Sequence, residues 1–450
     1  MYRADTIVAC ATPPGRGAIA IVRLSGPDCR TIADRIFRPT RAGSWRGWQM
    51  RHGTIVAERP IDEALAVFFP APRTYTGEDM LELQCHGSPL VVEQVLQAAM
   101  TCGARAAEGG EFSRRAVLNG RMDLLQAEAV ADLIDARISA GARAAWEQLQ
   151  GALSRRMMEI RSRIVAVLAD VEAHVDFSDD ELPDENWPNR RAAVAEIAAD
   201  IDALLAGFDA ARRHREGLRV VVTGRPNAGK SSLINRLLGS QRMIVTDEAG
   251  TTRDVVEETV DLGGLALVLT DTAGLRDSSS IAENEAVSRA RRAVDEADIV
   301  LYVVDASRPV APQDLAWLSQ LAGRPHLLVQ NKSDLPAMAG RGAVCDGVTA
   351  VATSALTGQG CEELAERLKH LTAQLLEAQP TCISRVRHRT ALADVRASLN
   401  AACAAMERET AAEIAALELR TALHALASLT EPTDNEEVLD VIFAEFCIGK

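Results

Sequence analysis

The stretch from Leu218 to Gly239, LRVVVTGRPNAGKSSLINRLLG, constrains the fold of this chain more than any other. A β-branched run, Val220 to Val222, enters Gly224-Arg-Pro-Asn-Ala-Gly229-Lys230-Ser231. Leu233, Ile234, Leu237 and Leu238 then recur at helical spacing until Gly239. Strand, glycine-rich loop and helix in that order predict a phosphate site, because the glycines let backbone N–H groups wrap an anion at a helix N-terminus. Asn227, Ala228, Gly229, Lys230, Ser231 and Ser232 would line it. Lys230 can reach the terminal phosphates as a point charge, and the Ser231 hydroxyl can ligate Mg²⁺.

Later elements narrow the nucleotide. In Gly250-Thr251-Thr252-Arg-Asp254 a threonine hydroxyl can meet the metal beside the terminal phosphate. Asp271-Thr272-Ala273-Gly274 ends an apolar strand, where an aspartate can hold the metal shell and a glycine N–H can sense a γ-phosphate. Asn331-Lys332-Ser-Asp334 ends another strand, and the Asp334 carboxylate can accept both N–H donors of guanine, a pair that adenine lacks. Thr353-Ser354-Ala355-Leu356 supplies a small-residue loop for the base carbonyl, and Ile299 to Asp305 completes a parallel sheet. The set predicts a GTP site.

Leu275 stands where Ras-type GTPases place the glutamine that orients water. Leucine cannot do so, and Glu283 or Glu285 in the stretch Arg276 to Glu285 could. A monovalent cation beside the phosphates could supply the charge of an arginine finger. Asn227 could ligate it, or could simply stabilise the loop.

Composition bounds the rest. Among 450 residues no apolar run approaches the ~20 needed to span a bilayer, and the N-terminus lacks a signal layout. A cytoplasmic protein is expected. Nine cysteines without a CxxC pair read as reduced thiols. The net charge of −14 argues against a surface that grips nucleic acid everywhere, but leaves room for a local RNA patch. Only four of the 49 cationic residues are lysines: Lys230, Lys332, Lys369 and Lys450. Lys230 and Lys332 lie inside nucleotide motifs, which suggests positions where a planar guanidinium does not fit.

The expected architecture is multidomain α/β. Residues 1–120 mix β-rich runs (Asp5 to Ala9, Ala18 to Leu24, Ala64 to Phe69, Met80 to Gln84) with a helix after Ser88-Pro89, over Leu90 to Met100, and a short one at Glu111 to Gly120 closed by its glycine, giving an α+β domain. Arg23 and Glu82 interrupt apolar strands there, either pairing with each other, lying on a solvated face, or lining a pocket for a polar heterocycle with an acidic tail. Residues 121–217 and 379–450 read as helical, with long patterns at Ala142 to Val175, Asn189 to Gly217, Ile383 to Arg408 and Ala411 to Leu429. They would form one discontinuous helical domain, with a Ras-like nucleotide domain, 218–378, inserted into it. Leu439, Ile442, Phe443 and Phe446 fall on one face of a final helix.

These residues resemble the MnmE/TrmE family of tRNA-modifying GTPases over essentially the whole chain. The marks are DTIVACATPPGRGAIAIVRLSG, TGEDMLELQCHG, GRPNAGKSS, IVTDEAGTTRD, DTAGLR and the terminal Cys447-Ile-Gly-Lys450. The resemblance implies a homodimer whose N-terminal domain is folate-binding-like and holds 5-formyl- or 5,10-methylene-tetrahydrofolate through Arg23, Glu82, Arg121 and Lys450. It implies a potassium-stimulated GTPase domain with K⁺ on Asn227, Thr246, Glu248 and Thr251 and Mg²⁺ on Ser231 and Thr252. The nucleotide set then extends over Thr246, Asp247, Glu248, Ala249, Gly250, Thr251 and Thr252. Lys230 and Asn227 serve catalysis, with Glu283 orienting water. Cys447 is either a reactive thiol or a packing residue. The implied activity is C5 modification of wobble uridine in tRNA, in a heterotetramer with an FAD-dependent MnmG/GidA-type partner. This chain departs from the family's lysine at Arg121, from its apolar residue at Glu248, and from its glycine-containing turn after Glu283. The alternative reading is a ribosome-assembly GTPase of the Era/Der kind, against which the N-terminal domain and the CIGK end argue.

Overall fold

The computed structural model describes residues 5–136, 139–176, 186–240, 257–261, 266–271, 293–336, 350–376, 383–407, 412–431, 439–440, 442–443, 446 and 448–449. The chain divides into two compact units. One comprises Met1–Ile134, Glu147–Ala198 and Ala391–Lys450; the other comprises Asp135–Trp146 and Ala199–Thr390.

Period-two alternation builds the first sheet. Its elements are β1 (Ile7–Cys10), β2 (Ile19–Ser25), α1 (Cys29–Ile36), β3 (Phe37–Pro39), β4 (Met50–Val56), β5 (Pro60–Phe69), β6 (Met80–His86), α2 (Pro89–Thr101), β7 (Arg105–Ala106) and α3 (Glu111–Leu118). The strand order is β3-β4-β5-β6-β2-β1-β7, with only the β1–β7 pair parallel. Val22, Leu24, Leu81 and Leu83 point to one face and close a core with Ile32, Ile36, Val95 and Ala99. The other face gathers Ile7, Ala9, Met80 and Phe112, and it also carries Arg23 directly opposite Glu82. Strands β3 and β4 and helix α1 were not expected from the sequence. In β4, Gly53 and the exposed Met50 and His52 blur the alternation, and α1 is only eight residues long.

The helical stretch departs from expectation at two glycines. It contains α4 (Leu124–Asp135), α5 (Ser139–Leu149), α6 (Ala152–Asp176), α7 (Trp187–Ala206) and α8 (Phe208–Glu216). The pattern over Ala142 to Val175 is therefore two helices, because Gly151 takes φ +79° and ends the first. The Arg155 N–H then donates to Gly151 O (3.0 Å) as the next helix begins. Asn189 to Gly217 likewise splits at Gly207, whose carbonyl accepts the Ala211 N–H at 3.0 Å.

The second unit holds β8 (Leu218–Thr223), α9 (Lys230–Ser240), β9 (Glu257–Asp261), β10 (Ala266–Asp271), β11 (Ile299–Asp305), α10 (Pro312–Gln320), β12 (His326–Asn331), β13 (Ala350–Ala352) and α11 (Cys361–Leu376). The order β13-β12-β11-β8-β10-β9 is parallel throughout except for the antiparallel edge strand β9. Apolar side chains of β8, β11 and β12 pack on α9 and α11 from one face. Leu318 and Leu321 cover Val300 and Tyr302 on the other. Both faces are buried, so these strands read as unbroken apolar runs.

Beyond the second sheet come α12 (Val386–Met406) and α13 (Ala412–Thr430). Within the first unit, α13 lies along α6, where Arg420 Nη2 meets Glu172 Oε1 at 2.6 Å. Leu439, Ile442, Phe443 and Phe446 are all buried, sharing a cluster with Val117, Leu124, Ala127 and Ala131.

Candidate functional site

The phosphate loop leaves β8 through Gly224, at φ +138°, where any Cβ would collide with Val303 O. Gly229, at φ +88°, is excluded from bearing a side chain by Asn331 Nδ2. Asn227 sits between them at φ +64°, a left-handed geometry that asparagine tolerates better than most residues. Its side chain is exposed, so the loop-stabilising reading and the ligand reading both fit it. Lys230 is buried, and its Nζ donates to Gly224 O (2.9 Å) and Arg225 O (3.0 Å) at the loop's rim. Ser231 and Ser232 open the helix with exposed side chains. A hydroxyl there suits a Mg²⁺ ion, which would neutralise phosphate charge when bound.

The Asn331–Asp334 segment, expected to read the base, is tied to the same loop. Asn331 Nδ2 donates to Ala228 O (2.9 Å), and its Oδ1 accepts the Ala355 N–H (3.0 Å). One buried amide thus joins the phosphate loop to the Thr353–Leu356 loop. Lys332, at φ +64°, donates to Asn227 O and to Asp305 Oδ2, both at 2.7 Å. Burial works to raise the Asp305 pKa, but hydrogen bonds from Lys332 and Ser307 outweigh it and hold the carboxyl below its ordinary range. Asp334 is exposed, so its carboxylate is open to a guanine edge. Ser354 Oγ accepts the Thr357 N–H at 3.1 Å, and Leu356 stands out in solvent. Both lysines inside the nucleotide motifs therefore donate to loop carbonyls. Asp305 was missed from sequence, and the carboxylate closing an all-apolar strand was the available signal.

Asp271 ends β10 beside Val222 of β8. Thr246, Asp247, Glu248, Ala249, Gly250, Thr251, Thr252, Thr272, Ala273, Gly274, Leu275, Glu283 and Glu285 lie outside the described residues, as do Cys447 and Lys450.

In the N-terminal sheet, Arg23 Nε donates to Glu82 Oε1 at 2.9 Å, and Arg23 Nη1 donates to Gly449 O at 3.2 Å. The pairing expected from sequence is present, yet it faces the C-terminal segment, which the pattern could not place. The guanidinium lies 5.8 Å from the Tyr75 ring centre and 5.9 Å from that of Phe112. Ile448 bridges to Gly109. Gly449, at φ +97°, presses on Cys10 O too closely for a Cβ. Arg121 is exposed, with Nε donating to Thr74 O at 2.9 Å.

Beneath lies a buried ionic network. Arg115 Nη1 reaches Asp5 O (2.8 Å) and Glu78 Oε2 (3.3 Å), and Arg115 Nη2 reaches Glu111 Oε1 (3.1 Å). Ser25 Oγ donates to Glu78 Oε2 at 2.6 Å. Helix α3 thereby fixes the Thr74–Asp79 loop that carries Tyr75. Cys85 and His86 face opposite sides: burial pushes the Cys85 thiol up to about 11, while His86 Nδ1 pairs with Asp62 Oδ1 at 2.8 Å on the surface.

Comparison with known proteins agrees along the whole length. Residues 6–121 match the family described as GTP-binding protein TrmE N-terminus, and residues 124–447 match the MnmE helical domain. The chain is 42% identical over 457 residues to the tRNA modification GTPase MnmE of Geobacter metallireducens, covering 100% of each. It is 43% identical to those of Roseiflexus sp. (99% of each) and Chloroflexus aurantiacus (99% of this chain and 100% of the relative). With its N-terminal sheet, its helices and its phosphate loop all inside these matches, the chain belongs to the MnmE family of tRNA modification GTPases.

Proposed function

We propose that this chain hydrolyses GTP in the course of modifying tRNA, as the names of its full-length relatives state of those proteins. The carrying observation is the Asn331–Lys332 stitch: it holds the phosphate loop against the base-reading loop while Asp334 stays open. Lys230 binds the terminal phosphates, exchanging two loop carbonyls for phosphate oxygens. Ser231, Thr252 and Asp271 serve the Mg²⁺ shell, and Asn331, Lys332, Asp334 and Ser354 to Leu356 hold guanine. Asn227, Thr246, Glu248 and Thr251 take K⁺, which supplies charge beside the phosphates, and Glu283 orients water. Expressed in a strain lacking its own copy, the wild-type chain restores the modified wobble nucleoside and Lys230→Ala does not. Equal nucleoside profiles from both would overturn the reading.

The N-terminal site takes a reduced folate. Its groups suit a pterin-like heterocycle with an acidic tail: a half-buried carboxylate to accept from ring N–H groups, two aromatic rings, and the exposed cation of Arg121. Lys450 is assigned to the same ligand by the family resemblance. A folate supplies the one-carbon unit, and the residues of this chain bind and orient it. The carboxymethylaminomethyl-type product at C5 of uridine, the homodimer, the FAD-dependent MnmG/GidA-type partner, the cytoplasmic setting and the domain limits 1–120, 121–217, 218–378 and 379–450 belong to the same reading. Among the described residues no helix is long and apolar enough to cross a membrane.

A further inference from the structure

One edge of the N-terminal sheet reverses the charge of the chain. The protein carries 63 acidic residues in 450 and a net charge of −14, yet Arg35 to Ala57 contains no Asp or Glu. Arg35, Arg38, Arg41, Arg46 and Arg51 all fall in that span, and none is in an ion pair among the described residues. All but the half-buried Arg51 are exposed. Two carboxylates that reach this span bind groups other than its arginine side chains: Asp34 Oδ1 accepts Trp45 Nε1 at 2.7 Å, and Glu63 Oε1 meets His52 Nε2 at 2.7 Å.

Two tryptophans divide the work in the β3–β4 connection. Trp45 anchors it, packing 5.7 Å from the Phe37 ring and 6.4 Å from Phe68, with Arg51 stacked over it at 5.1 Å. Arg51 Nη2 also donates to Arg41 O at 2.9 Å. Trp48 does the opposite. It is 60% exposed, edge-on to Phe69, and held at φ +64°, where a bulky side chain is a rare and costly outlier. An anchored loop that holds an indole in water among uncompensated guanidinium groups has the composition of a surface for unstacked bases and phosphates.

We propose that this edge contacts the substrate tRNA, with Arg41 and Arg46 on backbone phosphates and Trp48 stacking an unpaired base. The inference rests on the tRNA-modification reading and names the RNA surface within it. It is tested with the full chain and an unmodified tRNA transcript carrying a wobble uridine. The double variant Arg41→Gln/Arg46→Gln weakens binding roughly 10- to 30-fold at about 0.1 M salt and flattens the log–log salt slope by about 1.4–1.8. Trp48→Ala weakens binding roughly tenfold with the slope kept, and Trp48→Phe restores most of it. GTP turnover is unchanged in all three. Unaltered tRNA affinity and slope overturn the inference, as does a wild-type chain without salt-dependent tRNA binding. A fall in sedimentation mass with affinity unchanged assigns the edge to a second copy of the chain and also overturns it. Wobble-nucleoside analysis separates the two levels. If wild type and variants restore modification equally, this surface alone fails; if wild type restores none, the tRNA reading itself fails.

Discussion

Lys332 in the nucleotide domain and Arg23 in the N-terminal sheet do the same job with different cations. Each joins a carboxylate on a neighbouring strand to a main-chain carbonyl of a remote segment: Asp305 and Asn227 O for Lys332, Glu82 and Gly449 O for Arg23. The surroundings differ. Lys332 runs beside Gly229 and ends in a single ammonium that reaches both Asn227 O and Asp305 Oδ2. Arg23 has its guanidinium 5.8 and 5.9 Å from two aromatic ring centres, a setting that favours a delocalised cation. In a chain that uses arginine almost everywhere, Lys332 makes two contacts from one ammonium, whereas Arg23 spreads its contacts over a fork.

The comparison breaks first at the phosphate loop. Lys230→Ala removes the buried cation and is expected to cost about 2–5 kcal/mol of GTP binding, roughly 30- to several-thousand-fold. Micromolar affinity retained in a nucleotide titration would contradict its role. Asp334→Asn comes next, because it exchanges an acceptor for a donor facing the guanine amino group. GTP affinity should fall by about 3 kcal/mol, roughly two orders of magnitude, while a xanthine nucleotide, with an oxygen at that position, gains. A variant that ignores xanthine nucleotides in competition would remove Asp334 from the base site.

The two regions were unequally legible in the sequence. Gly224, Lys230, Asn331 and Asp334 lie within short motifs at the ends of strands, and a parallel sheet delivers strand ends to one edge. Local spacing was therefore enough to group them. Arg23, Glu82 and Gly449 are 59 and 426 positions apart along the chain, and nothing periodic connects them. The odd ion within each apolar strand marked Arg23 and Glu82; the resemblance alone grouped the C-terminal Lys450 with them, and tertiary packing supplied the Gly449 carbonyl. The Gly151 break in the long helical pattern was hidden for a different reason: apolar spacing on both sides stays in phase, and one left-handed residue carries the turn.

Glu82→Leu sharpens the second half of the comparison. It leaves the half-buried Arg23 with one carbonyl partner, a loss of about 1–3 kcal/mol of stability in the first unit. Reduced-folate binding is lost and GTP turnover is kept. Impaired GTP hydrolysis with intact folate binding would reverse the assignment of the two sites. Acid acts on the network beneath. Burial raises the pKa values of Asp5 and Glu111, but hydrogen bonds from Arg105 and Arg115 prevail and leave both lowered. Such groups stabilise the fold fully above their unfolded pKa of about 4, and that contribution is lost as pH falls through the lower folded value. The urea midpoint should therefore be flat near neutrality and drop below about pH 4, less steeply in Arg115→Met.

The smallest expected effect isolates the lysine bridge itself. Asp305→Asn keeps the size of the side chain and an oxygen that can still accept from Lys332, but removes the charge that holds the ammonium on Asn227 O. Lys332 is about a third exposed, so water compensates part of the loss and the coupling is worth about 1 kcal/mol. GTP affinity should fall roughly fivefold. If the bridge positions Asn227 for a cation, the K⁺ concentration for half-maximal hydrolysis should rise with it. Asp305→Glu, with charge kept and reach changed, should recover part of both. A fivefold loss of affinity with an unchanged K⁺ requirement would make the bridge a fastener of the fold alone. A shift in K⁺ requirement would show that Asn227 depends on Lys332 as Gly449 depends on Arg23: a main-chain carbonyl kept in place by a cation whose own position is set by a carboxylate one strand away.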